Sequence, residues 1–243
     1  MNLLVSGCSF TKWGYKTWPD YIVDKSDKNL ELIQLAIPGV GNNYICNSVI
    51  DTIISKKLTP ENTFVMVMWS GISRHDLCVG KEFVDLILQD KRDFVNLHDK
   101  FYILSGGELG DWKNNSYTQG HFETYYKMTD KKCHLDQTVK NIIFLKSFLE
   151  NNGFSYKFMS YTNSFSSKQE MAADDYTAYN CDPAFNLDSI IDANWIFADM
   201  HQNCLYEFAK DSKMLSDDDF HPITEAHEQF VELVIMPIIG NIL

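Results

Sequence analysis

The chain has 243 residues and a formal net charge of −12, with 45% hydrophobic and 22% charged residues. That composition is ordinary for a globular protein, and the length fits one large α/β domain spanning 1–243 with room for insertions. Net acidity without a Lys/Arg cluster argues against a nucleic-acid partner, because phosphate backbones would be repelled.

The first residues, Met1-Asn2-Leu3-Leu4-Val5-Ser6, lack the basic start of a signal peptide. No apolar run approaches the roughly 20 residues of a membrane-spanning helix. A cytoplasmic site of synthesis and no membrane partner are therefore expected. Residues 2–6 read as a buried strand, and Gly7-Cys8-Ser9-Phe10-Thr11 as a small-residue turn at its end. Trp18-Pro19-Asp20 opens a helix, with Pro19 in the first turn. Residues 30–36 read as a second strand. Pro38-Gly39-Val40-Gly41-Asn42-Asn43 is a glycine-rich turn in which Asn42 or Asn43 can cap the next helix. That helix, 44–56, carries Ile45, Val49, Ile50, Ile53 and Ile54 at helical spacing. Residues 63–69 are almost wholly apolar, as in a central parallel strand buried on both faces. This alternation predicts a right-handed parallel sheet with helices on both sides.

Residues 82–99 suit a helix with Phe83, Leu86, Ile87, Phe94 and Leu97 on its apolar side, and residues 105–115 read as a loop. Residues 136–152 form an amphipathic pattern stopped at Asn151-Asn152-Gly153, and 155–161 a fourth parallel strand. The stretches near 100–135 and 163–200 read as insertions. A last helix is expected over 224–238, capped by Thr224. The six cysteines (8, 46, 78, 133, 181 and 204) are scattered and read as reduced thiols.

In an open parallel sheet, ligands bind beyond the carboxyl ends of the strands. Ser9 falls just past the first strand, Gly39 past the second, and Ser70 to Arg74 past the third. His221 precedes the last helix in Asp218-Asp219-Phe220-His221-Pro222. A serine hydroxyl is a weak nucleophile until a base lies within reach and a third group orients that base. These two end segments hold all three residue types. Each has a plainer reading alone, Ser9 as a helix-capping turn serine and the second segment as an acidic surface loop. Their joint presence at matching ends favours the chemical reading. Cys8 is a rival nucleophile, but its side chain should point away from that of Ser9. His201-x-x-Cys204, Cys133-His134 and His75-Asp76 offer metal-ligand types without a tetrahedral set, so no metal is expected. Gly39-x-Gly41 has Tyr44 where a dinucleotide fingerprint needs glycine. Of the nearby aromatics Trp13, Tyr15, Trp18 and Trp69, at least Trp18 and Trp69 are expected in the core.

These blocks resemble the SGNH (GDSL-like) hydrolase family, which implies a three-layer α/β/α sandwich with a doubly wound parallel sheet, flavodoxin-like, with insertions. Gly7-Cys8-Ser9-Phe10 stands where members carry a Gly-Asp-Ser-like turn, with cysteine in place of aspartate. Pro38-Gly39-Val40-Gly41-Asn42 matches the block with an oxyanion glycine, and Asp218-x-x-His221, followed by Pro222, matches the last block. The resemblance implies Ser9 as nucleophile, His221 as general base and acid, Gly39 as oxyanion donor, and Asp218 as orienter ahead of Asp217 or Asp219. The third block departs from the family: Gly-x-Asn-Asp is replaced by Trp69-Ser70-Gly71-Ile72-Ser73-Arg74. Asn42, Ser70, Ser73 or Arg74 would have to supply the further oxyanion or substrate contact. The implied function is a serine esterase acting without a cofactor on an acyl ester of a small molecule or glycan. The alternative is a non-catalytic binding or structural module on the same fold. The blocks also look like SGNH-like proteins of tailed phages, which adds virion association or homo-oligomer assembly as an expectation.

Overall fold

The computed structural model describes residues 1–82, 85, 97–98, 101–104, 119–163 and 190–243. Their order is β1 (Asn2–Ser6), α1 (Trp18–Lys25), β2 (Glu31–Gln34), α2 (Asn42–Lys56), β3 (Thr63–Trp69), β4 (His75–Cys78), β5 (Leu97–His98) and β6 (Phe101–Leu104). There follow α3 (Gln119–Met128), α4 (Lys131–Asn151), β7 (Ser155–Ser160), α5 (Leu205–Asp211) and α6 (Thr224–Phe230). The last passes through one π-helical turn, Val231–Ile235, into α7 (Met236–Ile239).

β2, β1, β3 and β7 lie side by side in that order, all parallel. Residues 194–196 extend the sheet beyond β7: the Phe158 N–H donates to Asn194 O, and the Ile196 N–H to Phe158 O, both at 2.8 Å. From β1 the chain steps outward to β2, then returns to β3 on the other side. Right-handed crossovers therefore place α1 and α2 on opposite faces. α4 packs beside α2, and α6 beside α1, giving three layers. Every residue of β3 is buried, as a strand covered on both faces requires. Trp18 and Trp69 are both fully buried in the core. No helix among the described residues is long and apolar enough to cross a membrane.

Element ends differ from the sequence reading where a distant group intervenes. α2 starts at Asn42 behind Gly41, because the Asp76 carboxylate on β4 accepts the Tyr44 N–H and takes the role expected of an asparagine cap. α4 starts at Lys131, earlier than residue 136, since the Asp130 side chain accepts the Cys133 N–H at 2.8 Å. Thr224 is the first helical residue instead of the cap, which is Ile223. Leu97 and His98, expected in a helix, are strand β5, paired antiparallel with β6. β4, β6 and β5 make a small second sheet that strand pairing alone creates. Most of the expected 82–99 helix, the 105–115 loop and most of 163–200 lie outside the described residues.

Gly41, at the start of α2, packs tightly against the end of the β3–β4 loop and the first residues of β4. A Cβ there would lie 2.4 Å from the Arg74 carbonyl oxygen and 2.5 Å from Asp76 Oδ1. Gly41→Ala should lower stability in urea titrations by about 1–3 kcal/mol. Gly14→Ala, with nothing within 4 Å of its added carbon, should change it by less than about 0.5 kcal/mol.

Candidate active site

Where β1 ends, the N–H groups of Thr11 and Lys12 both turn back to Cys8 O, at 2.9 and 3.1 Å. This turn buries Cys8 completely and leaves Ser9 at the rim of the sheet, 3% exposed. His221 arrives on a narrow return loop. There Ser216 N–H donates to His221 O at 2.8 Å, Phe220 N–H to Ser216 O at 3.1 Å, and Ile223 N–H to Met214 O at 3.0 Å. Two contacts seal that loop against the first one. The Tyr15 hydroxyl donates to Pro222 O at 2.6 Å, and the Trp13 indole stacks on the His221 ring, centroids 4.3 Å apart and planes within 10°. Ser9 Oγ and His221 Nε2 consequently lie 2.8 Å apart, across 212 positions of sequence.

The other imidazole nitrogen faces Asp219, not Asp218. Nδ1 is 3.1 Å from the Asp219 carbonyl oxygen and 3.4 Å from its Oδ2, and the His221 N–H donates to Asp219 Oδ1 at 3.1 Å. With two acceptors before it, Nδ1 carries the proton in the tautomer this network favours, which leaves the Nε2 lone pair toward the Ser9 hydroxyl. Asp218, which the three-residue spacing selects, instead donates its own N–H to Ser216 Oγ at 3.2 Å. The reason is local backbone geometry. Phe220 sits in the left-handed region at φ 56°, and this twist folds the carboxylate two residues before the histidine back onto it.

Burial holds the His221 imidazole below its ordinary pKa, with Asp219 pulling it up and Arg74 adding to the depression. Its main-chain bond to His221 holds Asp219 below the usual carboxylate range. Burial, with the Asp219 charge, pushes Tyr15 up to about 12, so its hydroxyl remains a donor. The His221 imidazole is thus neutral near pH 7, with Nε2 free to accept a proton.

After β2, Val40 N–H closes a turn on Ile37 O at 3.5 Å, with Gly39 at φ 83°. The pattern matches a type II turn with Pro38 and Gly39 at its centre, a geometry that favours glycine. The N–H groups of Ser9 and Gly39 have no acceptor among the described residues, so neither is committed to another group. Asn42 is committed. Its amide nitrogen donates to Ser70 O at 3.0 Å and to Thr138 Oγ1 at 3.2 Å, while its oxygen accepts the Ser70 N–H at 2.8 Å. It brackets the end of β3 to α2 and α4. Ser70 is fully buried, its hydroxyl without a partner. The Arg74 guanidinium lies 5.7 Å above the Tyr161 ring, which packs at 4.9 Å against Phe10, the neighbour of Ser9. Asp219, Trp13, Tyr15 and Tyr161 are the site residues that sequence reasoning did not assign. The aromatic cluster close after Ser9 was a readable signal for Trp13 and Tyr15; Tyr161 offered none beyond ending a strand.

A second polar cluster lies behind Gly41. His75 and His134 rings are 4.1 Å apart, and His75 Nδ1 is 3.1 Å from the Tyr125 hydroxyl. Burial pushes His75 down to about 3, with His134 adding, and Asp76 up to about 7. Burial also holds His227, beneath the candidate site, at about 3.

No protein-family model matches the sequence, and no curated protein matches it. Solved structures do. TesA shares 11% identity at a TM-score of 0.50, with 100% of both chains covered. A variant of Axe2, an acetyl xylan esterase from Geobacillus stearothermophilus, shares 12% identity at a TM-score of 0.52, over 98% of this chain and 94% of that one. At such identity the likeness is one of fold: the protein has a divergent SGNH-type α/β/α fold.

The buried histidines set a pH dependence of stability. His75 and His227 take up protons near 3 when folded, against an ordinary value of 6.5. Below pH 6.5 the unfolded chain therefore gains protons that the folded chain refuses, and stability falls as pH drops. Asp76, at about 7 folded against 3.8, acts in the opposite sense with one proton between those values. The net is one proton, or about 1.4 kcal/mol lost per pH unit between pH 6 and pH 4. Urea titrations at several pH values test this. A flat or rising stability on acidification would contradict the buried, neutral placement of the two rings.

Proposed function

We propose that the protein is a serine esterase that hydrolyses an acyl ester of a small molecule or glycan through an acyl-enzyme. The observation that carries this reading is the 2.8 Å contact between Ser9 Oγ and His221 Nε2 at the carboxyl edge of the sheet. Ser9 Oγ attacks the ester carbonyl carbon as Nε2 takes its proton, and the imidazolium so formed is steadied at Nδ1 by Asp219. The carbonyl oxygen becomes an oxyanion, held by the Ser9 and Gly39 N–H groups. His221 then returns the proton to the leaving alcohol, and the acyl group stays on Ser9. Water attacks in the second half, giving a proton to His221, which passes it to Ser9 Oγ as the C–O bond to Ser9 breaks and the acid departs. The activity named for Axe2 belongs to a protein of the same fold, and makes acetylated glycans a reasonable first substrate to assay.

One observation favours the second reading, a non-catalytic binding module. Asn42 is fully engaged elsewhere, and the third block offers no asparagine in its place. Loss of one oxyanion donor slows related chemistry by about 10²–10³. A fluorophosphonate probe separates the two readings: the esterase takes the label on Ser9 and Ser9→Ala takes none. Folded wild-type protein that stays unlabelled would transfer the case to the binding module.

The labelling rate should rise with pH through a midpoint below 6.5, because burial depresses His221 and only its neutral form can accept the proton. Asp219→Asn should slow labelling by about 10², the lower end for base catalysis, since its carboxylate is partly exposed. Asp218→Asn should change it no more than about threefold. The reverse ranking would return the orienting role to Asp218.

A further inference from the structure

The reaction above leaves one charged group near the reacting pair without a task. Arg74 stands on the loop after β3, where the sheet's chain order reverses and ligands gather. Its guanidinium lies 5.7 Å over the Tyr161 ring. Tyr161 packs on Phe10, and the Phe10 ring lies 5.1 Å from that of His221. Arg74, Tyr161, Phe10 and His221 thus form one continuous wall beside Ser9. The Arg74 charge is felt at His221, which it helps to keep neutral.

Arg74 Nη1 is buried and has no hydrogen-bond partner, and no carboxylate among the described residues pairs with this side chain. The chain has 33 acidic residues against 21 basic ones, and Lys16, Lys25 and Lys146 each find a carboxylate. Arg74 does not. A buried guanidinium N–H without an acceptor is unfavourable, and an incoming oxygen would relieve it. The planar, permanently charged fork suits carboxylate and phosphate oxygens, and the Tyr161 ring beneath it supports that orientation. An oxyanion contact would also satisfy Nη1, but it would speed every ester alike. A recognition contact would sort esters by charge.

We infer that Arg74 is a substrate-binding residue selecting acyl esters that carry an anionic group, a carboxylate or a phosphate, within its reach beside Ser9. This rests on the esterase reading.

The test compares matched esters on wild type, Arg74→Gln and Arg74→Lys. For carboxylate, 4-nitrophenyl butyrate is set against 4-nitrophenyl hemiglutarate. For phosphate, phenyl acetate is set against 4-acetoxyphenyl phosphate. Wild type should favour one anionic ester over its neutral match by about tenfold or more in kcat/KM, as expected for a hydrogen bond to a charged group. That ratio should drop about tenfold in Arg74→Gln, chiefly through KM, and recover in part in Arg74→Lys. A wild-type ratio near one in both pairs would overturn the inference. So would an equal loss on neutral and anionic esters, which would assign Arg74 to the oxyanion or to folding. Calorimetric titration with glutarate and with phenyl phosphate reads the anion site without turnover. Binding lost in Arg74→Gln supports the inference, and binding absent or equal in both proteins overturns it. Absence of label on Ser9 strikes only the esterase reading.

Discussion

A hydroxyl delivered by the first strand must meet an imidazole delivered 212 positions later, and nothing local holds them together. The sheet fixes one partner. β1 is paired on both sides, by β2 and β3, so the turn carrying Ser9 has little freedom. The other partner rides a loop, and its position depends on contacts with the segment just after Ser9. The stacked Trp13 and the Tyr15 hydroxyl bond to Pro222 do that work. Ion pairs from Lys25 to Glu228 and Glu232 join the same two ends of the chain. Being partly exposed, they add less than the aromatic contacts.

The electrostatics of this meeting place are set by burial more than by charge. His221 is kept neutral chiefly by desolvation, and Asp219, which would favour its charged form, is too exposed to prevail. Such an imidazole is free of an added proton near neutral pH, and the partly exposed Asp219 would steady its charged form less than a buried carboxylate would. The opposite wall is built differently. Gly39 and Ser9 carry uncommitted main-chain N–H groups, while the Asn42 side chain is committed to holding the end of β3. Arg74 stands on the His221 side, reached through Tyr161 and Phe10, and its buried Nη1 has no hydrogen-bond partner among the described residues.

A buried histidine and a buried polar cluster flank the site and share a physical character. His227 lies below His221, and His75 with Asp76 and His134 lies behind Gly41; burial opposes the charged forms of His227, His75 and Asp76. Asp76 shows what such a group contributes to architecture. Its carboxylate accepts the Tyr44 N–H and so starts α2 from a neighbouring sheet. One side chain thereby couples the small antiparallel sheet to the helix that follows the Pro38-Gly39 turn.

The sequence by itself determined the parts governed by short-range rules. The almost wholly apolar run of β3 fits a doubly covered strand, and Leu3-Leu4-Val5 another. Pro38-Gly39 determined a turn because few residues tolerate a positive φ, and the serine and histidine at the two ends were legible from residue type and spacing. The tertiary structure decided whatever depends on a partner far away in the chain. β5 is a strand because β6 lies beside it, against the helical pattern of its own residues. α2 begins early because Asp76 reaches it. Asp219 rather than Asp218 faces the histidine because the left-handed twist at Phe220 overrides the three-residue spacing. Periodicity and turn chemistry act within a few residues, whereas hydrogen-bond partners and packing neighbours are chosen only when the whole chain has closed on itself.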